Sequence, residues 1–198
     1  MSYAFERIPP SPDRGLVESS AHSLLGTLAG TLAPLTSGSL TVGFRRQENP
    51  LASGESSSFT GVTLGGGLRR ELGHSSSVDL QWNRATEPSA YDTNAYYVTN
   101  SIIASLSVPA PFEVWVRGSL GFYRNGYPND APGLGTPRRD DIVGWTLGLG
   151  RQIGWRTWVR ADYRRERRNS NLPGYDVTTD GFVVQLGVGL FGPGPSRP

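Results

Sequence analysis

The most constraining feature of this sequence is a unit of about ten residues in which apolar and polar side chains alternate, and which recurs over residues 23–191. In residues 112–122 one alternate set is Phe, Val, Val, Gly, Leu, Phe and the other is Glu, Trp, Arg, Ser, Gly. A strand with a period of two places such sets on opposite faces. Because nearly every unit has this profile, with charged residues in its middle, the sequence predicts a membrane-spanning β-barrel that is apolar outside and wet inside.

Composition excludes several other classes of protein. Only 36% of the 198 residues are hydrophobic, the mean hydropathy is -0.35, and no run of 18 apolar residues exists, which excludes a transmembrane helix. The 26 glycines are typical of curved sheets. The absence of cysteine excludes disulfides and thiolate metal sites. The net charge of +2, with arginines interspersed among acidic residues, gives no basis for nucleic-acid binding.

The positions of the units predict an antiparallel up-and-down barrel of about nine or ten strands that is either closed or incompletely closed. Residues 1–20 are interpreted as a partial strand and a long loop, 21–191 as the barrel domain and 192–198 as a Pro/Gly-rich tail. Short and long connections alternate strictly, so all short turns lie at one end, which faces the periplasm in outer-membrane barrels. Strands are predicted at residues 21–33, 38–48, 58–71, 76–87, 95–108, 112–124, 140–153, 155–168 and 178–191, with the end of another at 3–7.

Turn residues mark the short connections of this arrangement. The long connections are predicted at residues 8–20, 49–57, 88–94, 125–139 and 169–177, and they are rich in Pro, Asn, Asp, Ser and Gly. The short connections lie near residues 34–37, 72–75, 109–111 and 154 and carry Pro34, Gly38, Gly73, Pro109, Pro111 and Gly154.

The polar set of strand residues predicts the lining of the lumen. Opposed arginines and carboxylates across a narrow lumen would order ions and polar solutes. The alternative is that these groups neutralise one another in a small, filled barrel that conducts nothing. The predicted lumen-lining residues are Asp79, Gln81, Asn83, Glu113, Arg117, Gln152, Arg160, Asp162 and Arg164.

Aromatic residues of the apolar set predict two girdles at the lipid interfaces. The alternative is that Phe and Trp are simply favourable strand residues. Toward the long loops lie Phe44, Trp82, Phe122, Trp145, Tyr163 and Phe182, and beside the short turns lie Phe112 and Trp155. Beyond the lipid on the long-loop side come arginine-rich strand ends, which contain Arg45, Arg46, Arg138, Arg139 and residues 164–168.

Catalytic and cofactor sites are not predicted. His22 and His74 are expected at opposite rims, so they would not share a metal, and no third group completes a Ser-His hydrolase around His22. We therefore expect no enzyme, no cofactor and no metal site. The long loops carry groups that could stack on and hydrogen-bond sugars, although ordinary turn chemistry is the favoured explanation. These groups are Tyr91, Asp92, Asn94, Asn125, Tyr127, Asn129, Asp130 and Tyr175.

Residues 24–46 form a strand, a Pro-containing tight turn and a second strand ending in Gly43, Phe44 and Arg45. Units of this kind resemble Gram-negative outer-membrane β-barrels, and more specifically the porin-like families found beside exopolysaccharide and exosortase gene clusters. The resemblance covers most of the chain from residue 21. It implies an outer-membrane location, contact with outer-membrane lipid and lipopolysaccharide, and passive transport of polar solutes or export of polysaccharide. The sequence departs from such barrels at its end, where Phe191 is followed by a Gly/Pro-rich tail.

Several alternatives remain open on the sequence alone. A soluble β-sandwich or lipocalin-like barrel would turn Val114, Leu147 and Val184 inward instead of outward. A structural or adhesive barrel that binds through its loops, or a lipid-modifying enzyme, would share the same fold. The first residues do not have the pattern of a signal peptide. Nine full strands and a partial one also do not match the even strand number of bacterial single-chain barrels. We therefore expect the chain to be the C-terminal portion of a longer protein.

Overall fold

The computed structural model of the protein describes residues 2–8, 19–50, 56–73, 75–91, 94–130, 135–153 and 157–188. These residues form one sheet of ten strands in which sequence neighbours are spatial neighbours and every pair is antiparallel. The predicted all-β, up-and-down arrangement is therefore confirmed. The strands are β1 (Ser2–Ile8), β2 (Ser19–Ala33), β3 (Thr36–Pro50), β4 (Ser56–Gly73), β5 (Ser76–Tyr91), β6 (Asn94–Ala110), β7 (Val114–Asp130), β8 (Pro137–Ile153), β9 (Thr157–Ser170) and β10 (Val177–Val188).

The sheet has two edges. Within the described residues β1 pairs only with β2 and β10 only with β9, so the sheet is open and closure into a barrel stays a prediction. No helix among these residues is long and apolar enough to cross a membrane.

Two chemically different faces follow from the strand registers. Directly paired residues of an antiparallel ladder lie on the same face. One row of pairs runs through Phe182, Tyr163, Leu147, Gly118 and Leu106. We call the face that carries this row the apolar face, and the opposite one, which carries Arg164, Thr146 and Ser119, the polar face.

The apolar face is exposed. Leu106, Leu147 and Val184 are 44%, 51% and 61% exposed. The most buried residues are instead largely polar and include Gln47, Ser77, Asn125, Arg138 and Asp140. A soluble sandwich or lipocalin-like barrel would require the reverse distribution, since it would bury the apolar side chains.

Three tryptophans lie flat over the glycines with which they pair across strands. A Cβ atom on Gly66 would lie 2.1 Å from the ring of Trp82, one on Gly150 1.9 Å from Trp115, and one on Gly187 2.2 Å from Trp158. Glycine is therefore required at these positions by close approach of the ring. Such aromatic–glycine pairs also fix the register of a twisted sheet.

The β7–β8 hairpin is longer than the sequence predicts. Residues 125–139 were predicted as a long loop, but pairing continues through Gly126 with Arg139 and Asp130 with Pro137. Backbone hydrogen bonding between the two strands thus overrides the turn propensity of the Asn, Asp, Gly and Pro residues in this segment.

Turn residues are also placed differently. Pro109 was predicted in a short turn but lies within β6, whereas Gly38 lies within β3, in agreement with the predicted strand 38–48. In the first short turn Leu35, with φ of 60°, takes the left-handed conformation instead. In the turn before β7 the same conformation falls on Phe112 and Glu113, at 63° and 58°. The prediction that these two residues belong to a strand is therefore wrong.

Candidate functional site

The polar face contains eight of the nine residues that the sequence predicts for the lumen. The ninth, Glu113, is exposed in the turn before β7 and has no strand face. Pairing connects the others across β5 to β9, and the shared face follows from the registers. These eight residues are Asp79, Gln81, Asn83, Arg117, Gln152, Arg160, Asp162 and Arg164.

One side of the polar face carries a ladder of charges of alternating sign along β9. The ladder consists of Arg160, Asp162, Arg164, Glu166 and Arg168, which are spaced two residues apart and therefore share a face. Arg160 Nε lies 2.6 Å from Asp162 Oδ2, and Arg164 forms an ion pair with Glu166. At about 3.3 Å per residue the ladder extends about 26 Å along the strand.

Glycines on β8 pair with three members of this ladder, and one of them, Gly148, makes room for Asp162. Gly150, Gly148 and Gly144 pair with Arg160, Asp162 and Glu166. A Cβ atom on Gly148 would lie 2.2 Å from Asp162 Oδ1, so the carboxylate lies directly over the neighbouring strand. The charged side chains of β9 are thus held along the wall of the sheet.

The other side of the polar face, over β2 to β6, is lined mainly by small uncharged side chains. A cavity of about 650 Å³ lies there, and its lining includes Ser39, Thr41, Thr63, Gln81 and Asn83. Hydroxyl and amide groups of this kind both donate and accept hydrogen bonds. The polar face therefore combines a charged wall with a hydroxyl-rich one.

A buried ion pair lies on the polar face near the long-loop end of β8. Arg138 donates to both carboxylate oxygens of Asp140, from Nε at 2.9 Å and from Nη2 at 2.6 Å. Their side chains are only 5% and 1% exposed. Two-point contact between a guanidinium and a carboxylate is the strongest common form of ion pair, and it holds both groups in one orientation.

Tyrosine rings enclose Arg138. The guanidinium carbon lies 4.9 Å from the ring centroid of Tyr127 and 4.1 Å from that of Tyr175, which are cation–π distances. The Tyr97 ring lies 5.3 Å from that of Tyr127. We call Tyr97, Tyr127, Arg138, Asp140 and Tyr175 the tyrosine–arginine cluster.

The pKa of the Tyr97 hydroxyl depends on burial and on charged residues of other strands. Burial raises this pKa, Glu87 on β5 raises it further, and Arg168 on β9 opposes them.

The β9–β10 loop is fastened beside the cluster. Asn171 donates its backbone N–H to the Arg139 carbonyl at 3.0 Å, and its side-chain oxygen accepts from the Arg139 N–H at 2.7 Å. Asp176 accepts from the Ser170 N–H at 2.7 Å, and Leu172 is buried. These bonds hold Tyr175 over Arg138.

The buried pair was not predicted from the sequence, and its neighbours were assigned to separate groups. Arg138 was grouped with Arg139 as a strand end beyond the lipid, and Asp140 was not selected. The available signal was the alternation itself, since Arg138, Asp140 and Ile142 share one face of β8 and are all buried. Tyr127 and Tyr175, predicted as loop groups for sugars or turns, instead contact one arginine.

The predicted interface aromatics that lie in strands all occupy the apolar face. They are Phe44, Trp82, Phe122, Trp145, Tyr163 and Phe182. Phe112 lies in a turn and is 84% exposed. Trp155 and the predicted turn residue Gly154 lie outside the described residues.

The histidines give no metal site within the described residues, where no group of three or more His, Cys, Asp or Glu side chains is able to hold an ion. Nδ1 of His22 lies 2.7 Å from the hydroxyl of Tyr3, on the apolar face, whereas Ser23 lies on the polar face. His74 is not among the described residues.

Comparison with known proteins adds no assignment: no protein-family model and no curated protein matches this sequence.

Proposed function

We propose that this protein is a transmembrane β-barrel of the outer membrane of a Gram-negative bacterium. The observation that carries the proposal is a continuous, exposed apolar face opposite a polar face that bears a ladder of charges along β9. Exposure of the apolar face to water would carry a large free-energy cost. Soluble monomers accordingly rarely expose apolar patches beyond a few hundred Å². Lipid hydrocarbon removes that cost, and the polar face is then the lumen.

We propose that strand tilt allows the open sheet to close into a barrel. Strands about 4.8 Å apart that rise about 3.3 Å per residue and tilt by about 40° shift a horizontal line by about 1.2 residues for each strand crossed. The strands can tilt in either direction, and one of the two directions brings β1 alongside β10. With that tilt, the observed registers would place Phe5 opposite Val184 and Tyr3 opposite Leu186. Apolar side chains of both edges thus meet on one face.

A horizontal line drawn with the same strand tilt also supports the aromatic girdle. When the line starts at Phe182, it passes within about two residues of an aromatic side chain on most strands that it crosses. These aromatics are Tyr163, Trp145, Phe122, Trp82, Phe44 and Phe5. Phe112, in the turn before β7, lies about ten residues below the point at which the line crosses β7. Ten residues of a tilted strand correspond to about 25 Å of height, which is the thickness of the apolar band of such barrels.

A cysteine cross-link tests closure. The chain has no cysteine of its own, so Ala4→Cys combined with Gln185→Cys introduces the only possible disulfide. We expect rapid formation of an intramolecular disulfide upon oxidation in phosphatidylcholine vesicles, because a closed barrel brings these Cα atoms within the 4.4–6.8 Å that a disulfide requires.

Ala4→Cys with Val184→Cys is the matched control, since Val184 lies on the other face and should not cross-link. Partners at Val183 or Gly187 would indicate closure with a register two residues away. Cross-links only between molecules, or none at all, would contradict closure within one chain.

We propose further that the barrel is a passive channel for small polar solutes. Opposed charged and hydroxyl-rich walls suit the passage of solvated ions and polar molecules. A barrel of about ten strands has a narrow lumen, which favours small solutes over export of a polysaccharide chain. The tyrosine–arginine cluster lies beyond the aromatic girdle on the long-loop side, where it would narrow the mouth.

Planar-bilayer conductance tests this function. We expect the wild type to conduct ions and Tyr175→Ala to raise single-channel conductance at least about twofold, since it removes a ring from the mouth. Tyr163→Ala, on the apolar face, should leave conductance unchanged. Absence of ion conductance in both the wild type and Tyr175→Ala would favour a structural or adhesive barrel. Lipid hydrolysis by the wild type that is abolished by His22→Ala would favour an enzyme.

A further inference from the structure

On the apolar face a short motif occurs once on every odd-numbered strand: an aromatic residue followed two positions later by arginine. The two residues share a face because positions two apart lie on the same side of a strand. The five apolar-face occurrences are Phe5 with Arg7, Phe44 with Arg46, Trp82 with Arg84, Phe122 with Arg124, and Tyr163 with Arg165. The polar face carries the same motif twice, at Trp115 with Arg117 and at Trp158 with Arg160. We call the five arginines of the apolar-face motif the outward arginine row.

The direction of the strands places all five arginines on the same side of the aromatics. Odd-numbered strands run toward the long loops, so each arginine lies about 6.6 Å farther along its strand toward that end than its aromatic partner. The row therefore follows the aromatic girdle on its long-loop side.

The arginine-rich strand ends are thereby divided between two environments. Arg45 and Arg164 face the polar side, whereas their sequence neighbours Arg46 and Arg165 face the apolar side. A charge needed only in the lumen would not require the outward member of each pair.

Existing contacts leave the outward row able to take another anion. Arg46 contacts Glu48 at 2.7 Å, Arg124 contacts Asp141 at 2.6 Å, and Arg165 lies 3.8 Å from Asp180. Arg84 donates to the Asn100 side-chain oxygen at 2.8 Å. The side chains in these three ion pairs are 49–64% exposed, and ion pairs this exposed are weak.

We propose that the outward arginine row binds the phosphate groups of anionic membrane lipids in the leaflet on the long-loop side. This inference rests on the proposed transmembrane barrel. Each arginine stem lies along the apolar surface while its guanidinium reaches the headgroup level, and the planar guanidinium matches phosphate oxygens in two-point contact. The aromatic beneath it would contact the upper part of the acyl chains.

Native mass spectrometry of protein released from mixed phosphatidylglycerol and phosphatidylcholine nanodiscs tests the proposal. We expect wild type to retain phosphatidylglycerol preferentially. Combined Arg46→Gln, Arg124→Gln and Arg165→Gln should lower that preference at least about fivefold, the effect expected for loss of even one arginine near an anionic surface. Arg45→Gln, Arg117→Gln and Arg164→Gln remove the same charge from the polar face and should leave the preference within about twofold of wild type.

The outcomes separate this inference from the barrel itself. Failure of wild type to insert into pure phosphatidylcholine would overturn the transmembrane barrel. Insertion without preference for phosphatidylglycerol, or equal losses in the two triple variants, would overturn only the phosphate role of the row. Displacement of phosphatidylglycerol by inorganic phosphate at equal concentration would also overturn it, since free phosphate would then be the ligand.

Discussion

Leu106→Arg is expected to lower the free energy of unfolding in lipid vesicles by about 2–4 kcal/mol, because an arginine near the middle of the bilayer must leave water. Leu106 lies on the apolar face of β6, is 44% exposed, and is about five residues from the aromatic girdle toward the short turns. Denaturant titration in phosphatidylcholine vesicles, followed by tryptophan fluorescence, measures the effect.

Ser105→Arg is the matched control, because Ser105 adjoins Leu106 in sequence and faces Asp79 and Ser119 on the polar face. Its arginine would lie in the wet lumen, and its effect should be below about 1 kcal/mol. Leu147→Arg, about halfway between the girdle and the middle, should cost an intermediate amount. Equal costs at residues 105 and 106 would refute the assignment of faces.

Asp140→Ala is expected to destabilise the protein by about 3–5 kcal/mol, since it leaves the guanidinium of Arg138 buried without its carboxylate. The two side chains are 5% and 1% exposed and contact each other at two points. The same denaturant titration measures the loss. Conductance should also change, because the cluster around Arg138 would rearrange at the mouth.

Asp141→Ala supplies the comparison for this variant. Asp141 pairs with Arg124 on the apolar face, where both side chains are more than half exposed, so its loss should cost only about 0–1 kcal/mol. Adding Arg138→Met to Asp140→Ala should recover much of the stability, since no uncompensated charge then remains. Similar losses for Asp140→Ala and Asp141→Ala would contradict the buried pair.

The fold was largely predictable because alternation is a local property. The residues of each strand indicate which of its two faces is apolar. Leu147 and Arg164 could therefore be assigned to opposite faces before their strands were paired. The stub at residues 3–7 is a strand, Ser2–Ile8, paired with the next one. Strand ends were less predictable, because pairing with a neighbour extends β7 to Asp130 through residues that favour turns.

The site was only partly predictable. Eight of the residues predicted for the lumen share the polar face of the sheet, whereas Glu113 lies in a left-handed turn that replaces the expected start of β7. Turn conformation depends on how the two flanking strands align, which the local sequence does not specify.

By itself the sequence determined the class of structure: an antiparallel sheet with one apolar and one polar face, since period-two patterning needs no long-range information. Only the tertiary structure decided which polar groups meet. Arg138 is held by Asp140 on its own strand, but also by Tyr127 from β7 and Tyr175 from the β9–β10 loop. Contacts between such distant parts of the chain depend on register and curvature, which arise from the pairing of all the strands together.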